Sequence, residues 1–171
     1  GIAHQGMTEN FRMNRLLMWI QPENYSSGIG YQTVQGLYAI GSGGLFGKGL
    51  GKSLQKLGFI PESQNDMIFS IICEELGLFG AMCIILVFAL MLWRIIHIAQ
   101  NAPDLFGTML AAGVFAHVAV QVVLNIAVVT NFIPNTGVSL PFISYGGTAS
   151  FFLLLEMGIV LNISSKIRLE R

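Results

Sequence analysis

The sequence predicts an all-α integral membrane protein in which a large extracellular loop precedes three transmembrane helices. Of the 171 residues, 53% are hydrophobic and only 11% are charged, and the mean hydropathy is +0.66. Soluble domains carry about 25% charged residues, so this composition excludes an ordinary soluble protein. The formal net charge is zero, which gives no reason to expect binding to nucleic acid.

Three segments are long and apolar enough to cross a bilayer, which requires about 20 residues. Residues 76–93 carry no charge, residues 105–130 contain no Lys, Arg, Asp or Glu, and residues 142–163 contain one acid, Glu156. We predict a transmembrane helix in each segment, within a domain of residues 67–171 that ends in a short tail.

The cations beside these segments predict their orientation. They lie between the first two segments and in the tail after the third: Arg94, His97, Lys166, Arg168 and Arg171. The connection at residues 131–141 is uncharged. Because cytoplasmic loops carry an excess of Lys and Arg, we expect the first connection and the tail in the cytoplasm. Residues 1–66 are then expected on the outer face.

Residues 1–66 contain no segment long enough to span a bilayer, so we predict an extracellular loop region. Residues 11–20 place Arg12 and Arg15 beside five consecutive apolar residues, and Pro22 ends the segment. Such a segment is either a helix in the membrane interface or the end of a spanning helix.

Two glycine-containing stretches of this region predict loops rather than helices. Residues 24–36 are rich in turn formers, and residues 41–51 hold so many glycines that a regular helix would be costly. Neither stretch matches a nucleotide site. A phosphate-binding loop ending at Lys52 would need glycine where Phe46 stands, and the register ending at Lys48 would need glycine at Ser42. We therefore expect no nucleotide cofactor.

Lysines follow this glycine-rich stretch at intervals of four residues: Lys48, Lys52 and Lys56. In a helix they would share one face. Ammonium groups next to exposed backbone N–H groups suit a phosphate or diphosphate. The alternative is a solvated basic face near anionic lipid headgroups, and the spacing alone favours this alternative.

Asp66 stands where the polar region ends and the apolar region begins. Ser63 and Asp66 have the spacing of a capping box, so one interpretation is a helix cap. The chemical alternative is a carboxylate that acts as a general base toward a sugar hydroxyl, or as one ligand of a divalent cation. The spacing alone favours the cap.

Two acids, Glu74 and Glu75, lie about two helical turns after Asp66. At the outer boundary of the first transmembrane segment they would either anchor the helix at the interface or form a salt bridge with Arg12 or Arg15.

Polar residues also occur inside the second and third transmembrane segments. His117, Gln121 and Asn125 recur every four residues after Gly113, which predicts a polar stripe on one helical face. Such stripes usually pack against neighbouring helices. Glu156 belongs to the third segment, where acids are costly and face the bundle interior. A path for protons or substrate is the alternative for the stripe and for Glu156.

Several separated motifs carry a family resemblance. They are Tyr31-Gln32, residues 39–44 and 47–51, Pro61-Glu62, residues 66–69 and 74–77, residues 135–137, and residues 140–147. In this order they resemble the SEDS family of FtsW, RodA and SpoVE, over nearly all of residues 11–165. The loop and the last motif look closer to FtsW or SpoVE than to RodA.

The resemblance implies a bacterial cytoplasmic (inner) membrane protein of about ten helices, of which this chain would be the fourth extracellular loop and the last three helices. Members polymerise lipid II into the growing glycan strand of peptidoglycan on the outer face and release undecaprenyl diphosphate. They work with a class B penicillin-binding protein and, in division, with other divisome proteins. The alternatives are a lipid II flippase and a non-catalytic scaffold of the division machinery.

The resemblance also implies roles for single residues. Asp66 matches the essential loop aspartate of the family and would activate the acceptor hydroxyl, with Mg²⁺ or Mn²⁺ as a helper. Its neighbours Gln64, Asn65 and Met67 depart from the family pattern. The diphosphate leaving group of such a reaction calls for cations, for which Lys48 and Lys52 are our candidates. Arg12 or Arg15 would bind headgroup phosphates, and Glu62 is a further candidate for substrate binding. The chain alone is expected to be inactive, because the other helices would build much of the substrate groove.

Overall fold

The computed structural model describes residues 19–20, 29–52 and 65–167 of the chain, and that part is helical with no strand. Its four long helices are α1 (Ile29–Gly43), α2 (Ile68–Gln100), α3 (Leu105–Val129) and α4 (Gly147–Lys166). Helix α2 packs against both α1 and α3, and α4 packs mainly against α3. A buried apolar cluster between the helices includes Ile95, Val118 and Val160.

Helices α2, α3 and α4, with 33, 25 and 20 residues, are each long and apolar enough to cross a membrane. Large apolar side chains also cover their outer faces, among them Phe79, Leu86 and Phe151. A helix that is hydrophobic on all sides suits a lipid environment. The prediction of an all-α membrane protein with three transmembrane helices is confirmed.

Helix α1 corrects the prediction of a loop, because residues 29–43 are helical. Two of its glycines, Gly36 and Gly43, face α2 at close range. A Cβ atom on Gly36 would lie 3.1 Å from Ser70 Oγ, and one on Gly43 would lie 1.9 Å from the carbonyl oxygen of Cys73. Glycine in a helix costs about 1 kcal/mol relative to alanine. Tertiary packing against α2, which requires small residues here, outweighs that cost.

Helix α2 is broken at Gly77, whose backbone has φ 69° and ψ −169°. The break separates a short segment, residues 68–76, from the long segment, residues 78–100. The predicted transmembrane segment at residues 76–93 therefore belongs almost entirely to the long segment. The short segment begins two residues after Asp66.

The connection between α3 and α4 folds back onto the core instead of forming an open loop. Leu140 and Pro141 are buried, and Asn131 and Phe142 adopt positive φ. The indole N–H of Trp19 donates to the carbonyl oxygen of Asn131 at 3.0 Å. This connection lies against the start of α2, and it supplies part of the candidate site.

Candidate functional site

The turn that carries Asp66 is held by a buried amide from α3. Asn125 Nδ2 donates to the carbonyl oxygen of Asp66 at 2.9 Å and to that of Val138 at 2.8 Å. The Asn125 side chain has no solvent exposure. Buried amides are retained where their hydrogen bonds are made, so Asn125 connects α3, the Asp66 turn and the α3–α4 connection.

A second side chain holds the preceding residue of the same turn. Ser144 Oγ donates to the carbonyl oxygen of Asn65 at 2.6 Å and accepts from the backbone N–H of Leu140 at 2.8 Å. Two consecutive carbonyl groups of the turn are thus fixed by side chains from distant parts of the chain. The sequence interpretation gave Ser144 no role of its own, although its hydroxyl group lies two residues before the glycine pair Gly146-Gly147.

Asp66 does not occupy the first turn of α2, where the capping-box interpretation would place it. Helix α2 begins at Ile68, and its N-cap residue is Met67, which makes no side-chain capping hydrogen bond. Asp66 therefore precedes the helix instead of standing in its first turn. Ser63 lies outside the described residues. The cap was favoured because the spacing matched, but the position of Asp66 depends on tertiary contacts that the spacing does not contain.

A cavity of about 540 Å³ lies next to this turn, between the starts of α2 and α4. Its lining is apolar with a few hydroxyl groups: Ile68, Ile71, Ile143, Ser144, Tyr145, Gly146, Gly147 and Ser150. Volumes of this order suit small-molecule ligands. Ser144 both lines the cavity and holds Asn65, so the cavity adjoins the Asp66 turn, although Asp66 itself is not among the lining residues.

Two backbone N–H groups of the glycine-rich stretch, which were predicted to be exposed, bond to α2 instead. The backbone N–H of Lys48 donates to the carbonyl oxygen of Glu74 at 2.9 Å, and that of Gly49 donates to Glu75 at 3.0 Å. Residues 44–52 form turns, so Lys48 and Lys52 share no helical face. The backbone donors predicted for phosphate are used for contacts with α2.

Lys48 forms an ion pair with a fully buried acid. Its Nζ atom lies 2.7 Å from Oε1 of Glu74, and the two side chains are 34% and 0% exposed. Ser42 Oγ lies 3.5 Å from the same oxygen. The sequence left two alternatives for Glu74, anchoring at the interface or a salt bridge with Arg12 or Arg15. Arg12 and Arg15 lie outside the described residues, and that pairing stays a prediction.

The polar stripe of α3 meets Glu156 of α4. His117 Nδ1 lies 3.0 Å from both carboxylate oxygens of Glu156, and Gln121 Nε2 lies 3.0 Å from His117 Nε2. The structure thus joins three of the predicted intramembrane residues, while the fourth, Asn125, contacts the Asp66 turn.

The remaining predicted site residues are either exposed or lie outside the described part of the chain. Lys52 is exposed, and Glu62 lies outside the described residues, as do Arg12 and Arg15. Within the described ranges no group of three His, Cys, Asp or Glu residues is arranged to hold a metal ion.

Comparison with known proteins identifies the family. A family model described as "Cell cycle protein", which represents FtsW, RodA and SpoVE, matches residues 2–169. The chain belongs to the FtsW/RodA/SpoVE family. It is 48% identical over 154 residues to "Stage V sporulation protein E" of Bacillus subtilis (strain 168), covering 90% of the chain and 42% of that protein.

Other relatives in the FtsW/RodA/SpoVE family carry an enzymatic name. The chain is 44% identical over 159 residues to "Probable peptidoglycan glycosyltransferase FtsW" of Trichlorobacter lovleyi, covering 93% of the chain and 42% of that protein. The family resemblance found in the motifs is confirmed. The chain spans about 42% of the length of these relatives.

Solved structures of the family show the same fold. A chain from a peptidoglycan synthase complex, described as coordinating polymerization and crosslinking, matches with a TM-score of 0.72 at 24% identity. That match covers 94% of this chain and 43% of the other. A mutant of the rod shape determining protein RodA of Thermus thermophilus matches with a TM-score of 0.60 at 30% identity, covering 79% and 41%. The helical arrangement described above is therefore part of a larger family fold.

Proposed function

We propose that the protein, at the length of its relatives, is a peptidoglycan glycosyltransferase that polymerises lipid II, with Asp66 as general base. Family membership and the names of the FtsW relatives support the reaction class. The observation that carries the proposal is the immobilised turn, in which Asn125 and Ser144 hold two consecutive carbonyl groups beside a cavity. A carboxylate carried by a turn whose backbone is fixed, near a ligand-sized cavity, suits proton abstraction from a bound substrate.

In this mechanism Asp66 accepts the proton of the 4-hydroxyl group of the acceptor N-acetylglucosamine. The hydroxyl oxygen attacks the anomeric carbon of the donor N-acetylmuramic acid and inverts it, and the bond to undecaprenyl diphosphate breaks. A carboxylate is a weak base toward an alcohol, so proton transfer comes late, when bond formation has acidified the hydroxyl group. Correct placement of the carboxylate then matters more than its basicity.

The diphosphate leaving group requires cationic stabilisation. Lys52 is the better of the two predicted lysines for this role because it is exposed, whereas Lys48 contacts Glu74. Arg12, Arg15 and Glu62 stay candidates for contacts with the lipid-linked substrates. Mg²⁺ or Mn²⁺ bound through Asp66 would take its other ligands from substrate phosphates and water, and would neutralise charge on the diphosphate.

We place the Asp66 turn on the outer face of the cytoplasmic membrane, because the cations of the first connection and the tail are expected in the cytoplasm. The growing glycan strand would leave from this face. A class B penicillin-binding protein is the proposed partner, which would crosslink the strand, with other divisome proteins around it. The similarity to SpoVE and FtsW proteins favours a role in sporulation or division.

The test uses a chimera in which this chain replaces the matching segment of the Bacillus subtilis SpoVE protein, combined with a transpeptidase partner. Polymerisation of labelled lipid II is followed by gel analysis of glycan strands. We expect Asp66→Asn to lower the rate at least about 100-fold, since general-base catalysis contributes about 10²–10⁴-fold. The matched control is Asp104→Asn, because Asp104 caps α3 through Gly107 and asparagine caps equally well.

A lipid II flippase is the second candidate, favoured by the intramembrane network of His117, Gln121 and Glu156. Polar groups inside a membrane often line transport paths. Translocation of labelled lipid II across vesicle membranes separates the two functions. Polymerisation at the wild-type rate in Asp66→Asn, with translocation lost in His117→Leu, would establish the flippase and refute the glycosyltransferase.

A further inference from the structure

Residues 44–49, which we call the glycine loop, are inserted into the hydrogen-bond ladder of α2. A continuous helix would pair the N–H of Leu78 with the carbonyl of Glu74, and the N–H of Phe79 with that of Glu75. Here the loop contacts all four groups. Leu78 and Phe79 donate to the carbonyls of Gly44 and Leu45 at 2.9 and 3.2 Å.

On the other side of the break, the loop supplies the donors. The N–H groups of Lys48 and Gly49 reach the carbonyls of Glu74 and Glu75 at 2.9 and 3.0 Å. Buried backbone groups at a break in a helix require partners, and the loop satisfies both the short and the long segment of α2. The glycine loop therefore bridges the break at Gly77 with hydrogen bonds to both segments of α2.

The contact between the glycine loop and the break at Gly77 is too close for side chains at the glycine positions. A Cβ atom on Gly47 would lie 2.2 Å from the carbonyl oxygen of Glu75, and one on Gly77 would lie 2.4 Å from the backbone nitrogen of Gly47. Both glycines have positive φ, 76° and 69°. Only glycine combines this conformation with such a close approach. The glycines first considered for phosphate binding serve the contact between loop and helix.

The ion pair between Lys48 and Glu74 reinforces the same contact with side chains. Lys48 is bonded to Glu74 through its backbone N–H and again through its ammonium group, 2.7 Å from Oε1. Because Glu74 is fully buried, loss of the ammonium would remove a charged partner from a carboxylate that water does not reach. The pair therefore secures the register of the loop on the short segment of α2.

The direction of the short segment sets the location of Asp66. The segment is attached to the long part of α2 only through a non-helical residue, so helical continuity does not align the two parts. Asp66 lies about ten residues from the break, which is roughly 14 Å along a helix. A rotation of about 10° at the break would then move Asp66 by about 2 Å, and misplacement by about 1 Å can lower a rate 100-fold.

We propose that Lys48 and Glu74 are positioning residues, whose ion pair locks the glycine loop into the α2 break and thereby orients the segment that carries Asp66. This inference rests on the proposed role of Asp66 as general base. It assigns Lys48 to the protein scaffold and leaves the diphosphate contact to other cations. Neither residue touches the substrate.

The test compares Lys48→Met, Glu74→Gln and the double variant in the chimera with its transpeptidase partner. We expect Lys48→Met to lower kcat for lipid II polymerisation at least about tenfold, with KM changed less than about twofold. Adding Glu74→Gln should restore much of kcat, because no charged carboxylate stays buried. Lys48→Arg should retain most activity, and Lys166→Met, an exposed lysine at the end of α4, serves as the control.

A phosphate-binding role for Lys48 makes the opposite prediction. Lys48→Met would then raise KM, and Glu74→Gln would not compensate; this result would overturn the positioning role. If Lys48→Met does not accumulate in membranes, recovery of accumulation in the double variant supports the proposal, and its failure to recover contradicts it.

Hydrogen exchange provides a readout that is independent of activity. The amides of Lys48, Gly49, Leu78 and Phe79 should exchange faster in Lys48→Met than in the wild type, and more slowly again in the double variant. Unchanged amide exchange in Lys48→Met would refute the positioning role of the ion pair between Lys48 and Glu74, even if Asp66→Asn is inactive. Full activity of Asp66→Asn would refute the proposed function while leaving the exchange result intact.

Discussion

Asn125 is the side chain on which the position of Asp66 most directly depends. Its amide nitrogen serves two carbonyl groups, those of Asp66 and Val138, from a location without solvent exposure. A buried carbonyl that loses its donor costs about 1–3 kcal/mol. Asn125 therefore stabilises the fold and places the candidate base through the same two hydrogen bonds.

We predict that Asn125→Leu lowers the free energy of unfolding by about 2–4 kcal/mol and the polymerisation rate at least about tenfold, because two buried carbonyl groups lose their donor. Chemical denaturation in detergent and the lipid II assay measure the two effects. Thr130→Ala is the matched control, since Thr130 is an exposed polar residue at the end of the same helix. An Asn125→Leu variant as stable and as active as the control would contradict this role.

The packing of α1 on α2 relies on small residues at the contact. Ala39 is fully buried, and Gly43 lies so close to Cys73 that a Cβ atom would meet its carbonyl oxygen. Gly41 is in the same helix, but a Cβ atom there would have no neighbour within 4 Å. Substituting Gly43 therefore tests close packing against α2, whereas substituting Gly41 tests helix propensity alone.

Gly43→Ala should destabilise the protein by about 1–3 kcal/mol, since the added methyl group forces α1 away from α2. Gly41→Ala should be neutral or stabilise by up to about 1 kcal/mol, because alanine favours the helix. Thermal unfolding of both variants in the same detergent measures the difference. Equal effects of the two substitutions would show that α1 does not pack on α2 as described.

For the molecule as a whole, the described residues expose many large apolar side chains. Large apolar residues such as Phe79, Trp93 and Leu161 are exposed, and the chain spans about 42% of the length of its relatives. Apolar surface of this kind suits lipid or further helices.

We predict that the isolated chain, reconstituted in vesicles, polymerises no lipid II, whereas the SpoVE chimera does. The physical reason is that two lipid-linked substrates must be held in line, and one cavity of about 540 Å³ cannot hold both. Both proteins are assayed at equal amounts with the transpeptidase partner present. Polymerisation by the isolated chain would mean that the groove is complete without further helices.

The three transmembrane helices and the family follow from the sequence alone. Length and apolar composition are properties of a continuous stretch of sequence. They therefore predicted the transmembrane helices in residues 76–93, 105–130 and 142–163 without any tertiary information. The motifs around Asp66 and in residues 140–147 identified the family because each is a local pattern in a set order. The recurrence of His117, Gln121 and Asn125 likewise predicted a polar face.

Tertiary structure alone determined how these parts meet. The glycine loop inserts at Gly77, and Lys48 pairs with Glu74, so residues that lie far apart in the chain come into contact. The helix at residues 29–43 forms where its packing against α2 favours it. Spacing predicted a cap for Asp66, but Asn125 and Ser144, which are distant in sequence, hold its turn. Local patterns predict segments, whereas hydrogen bonds and ion pairs across the fold depend on where the packed segments bring distant residues together.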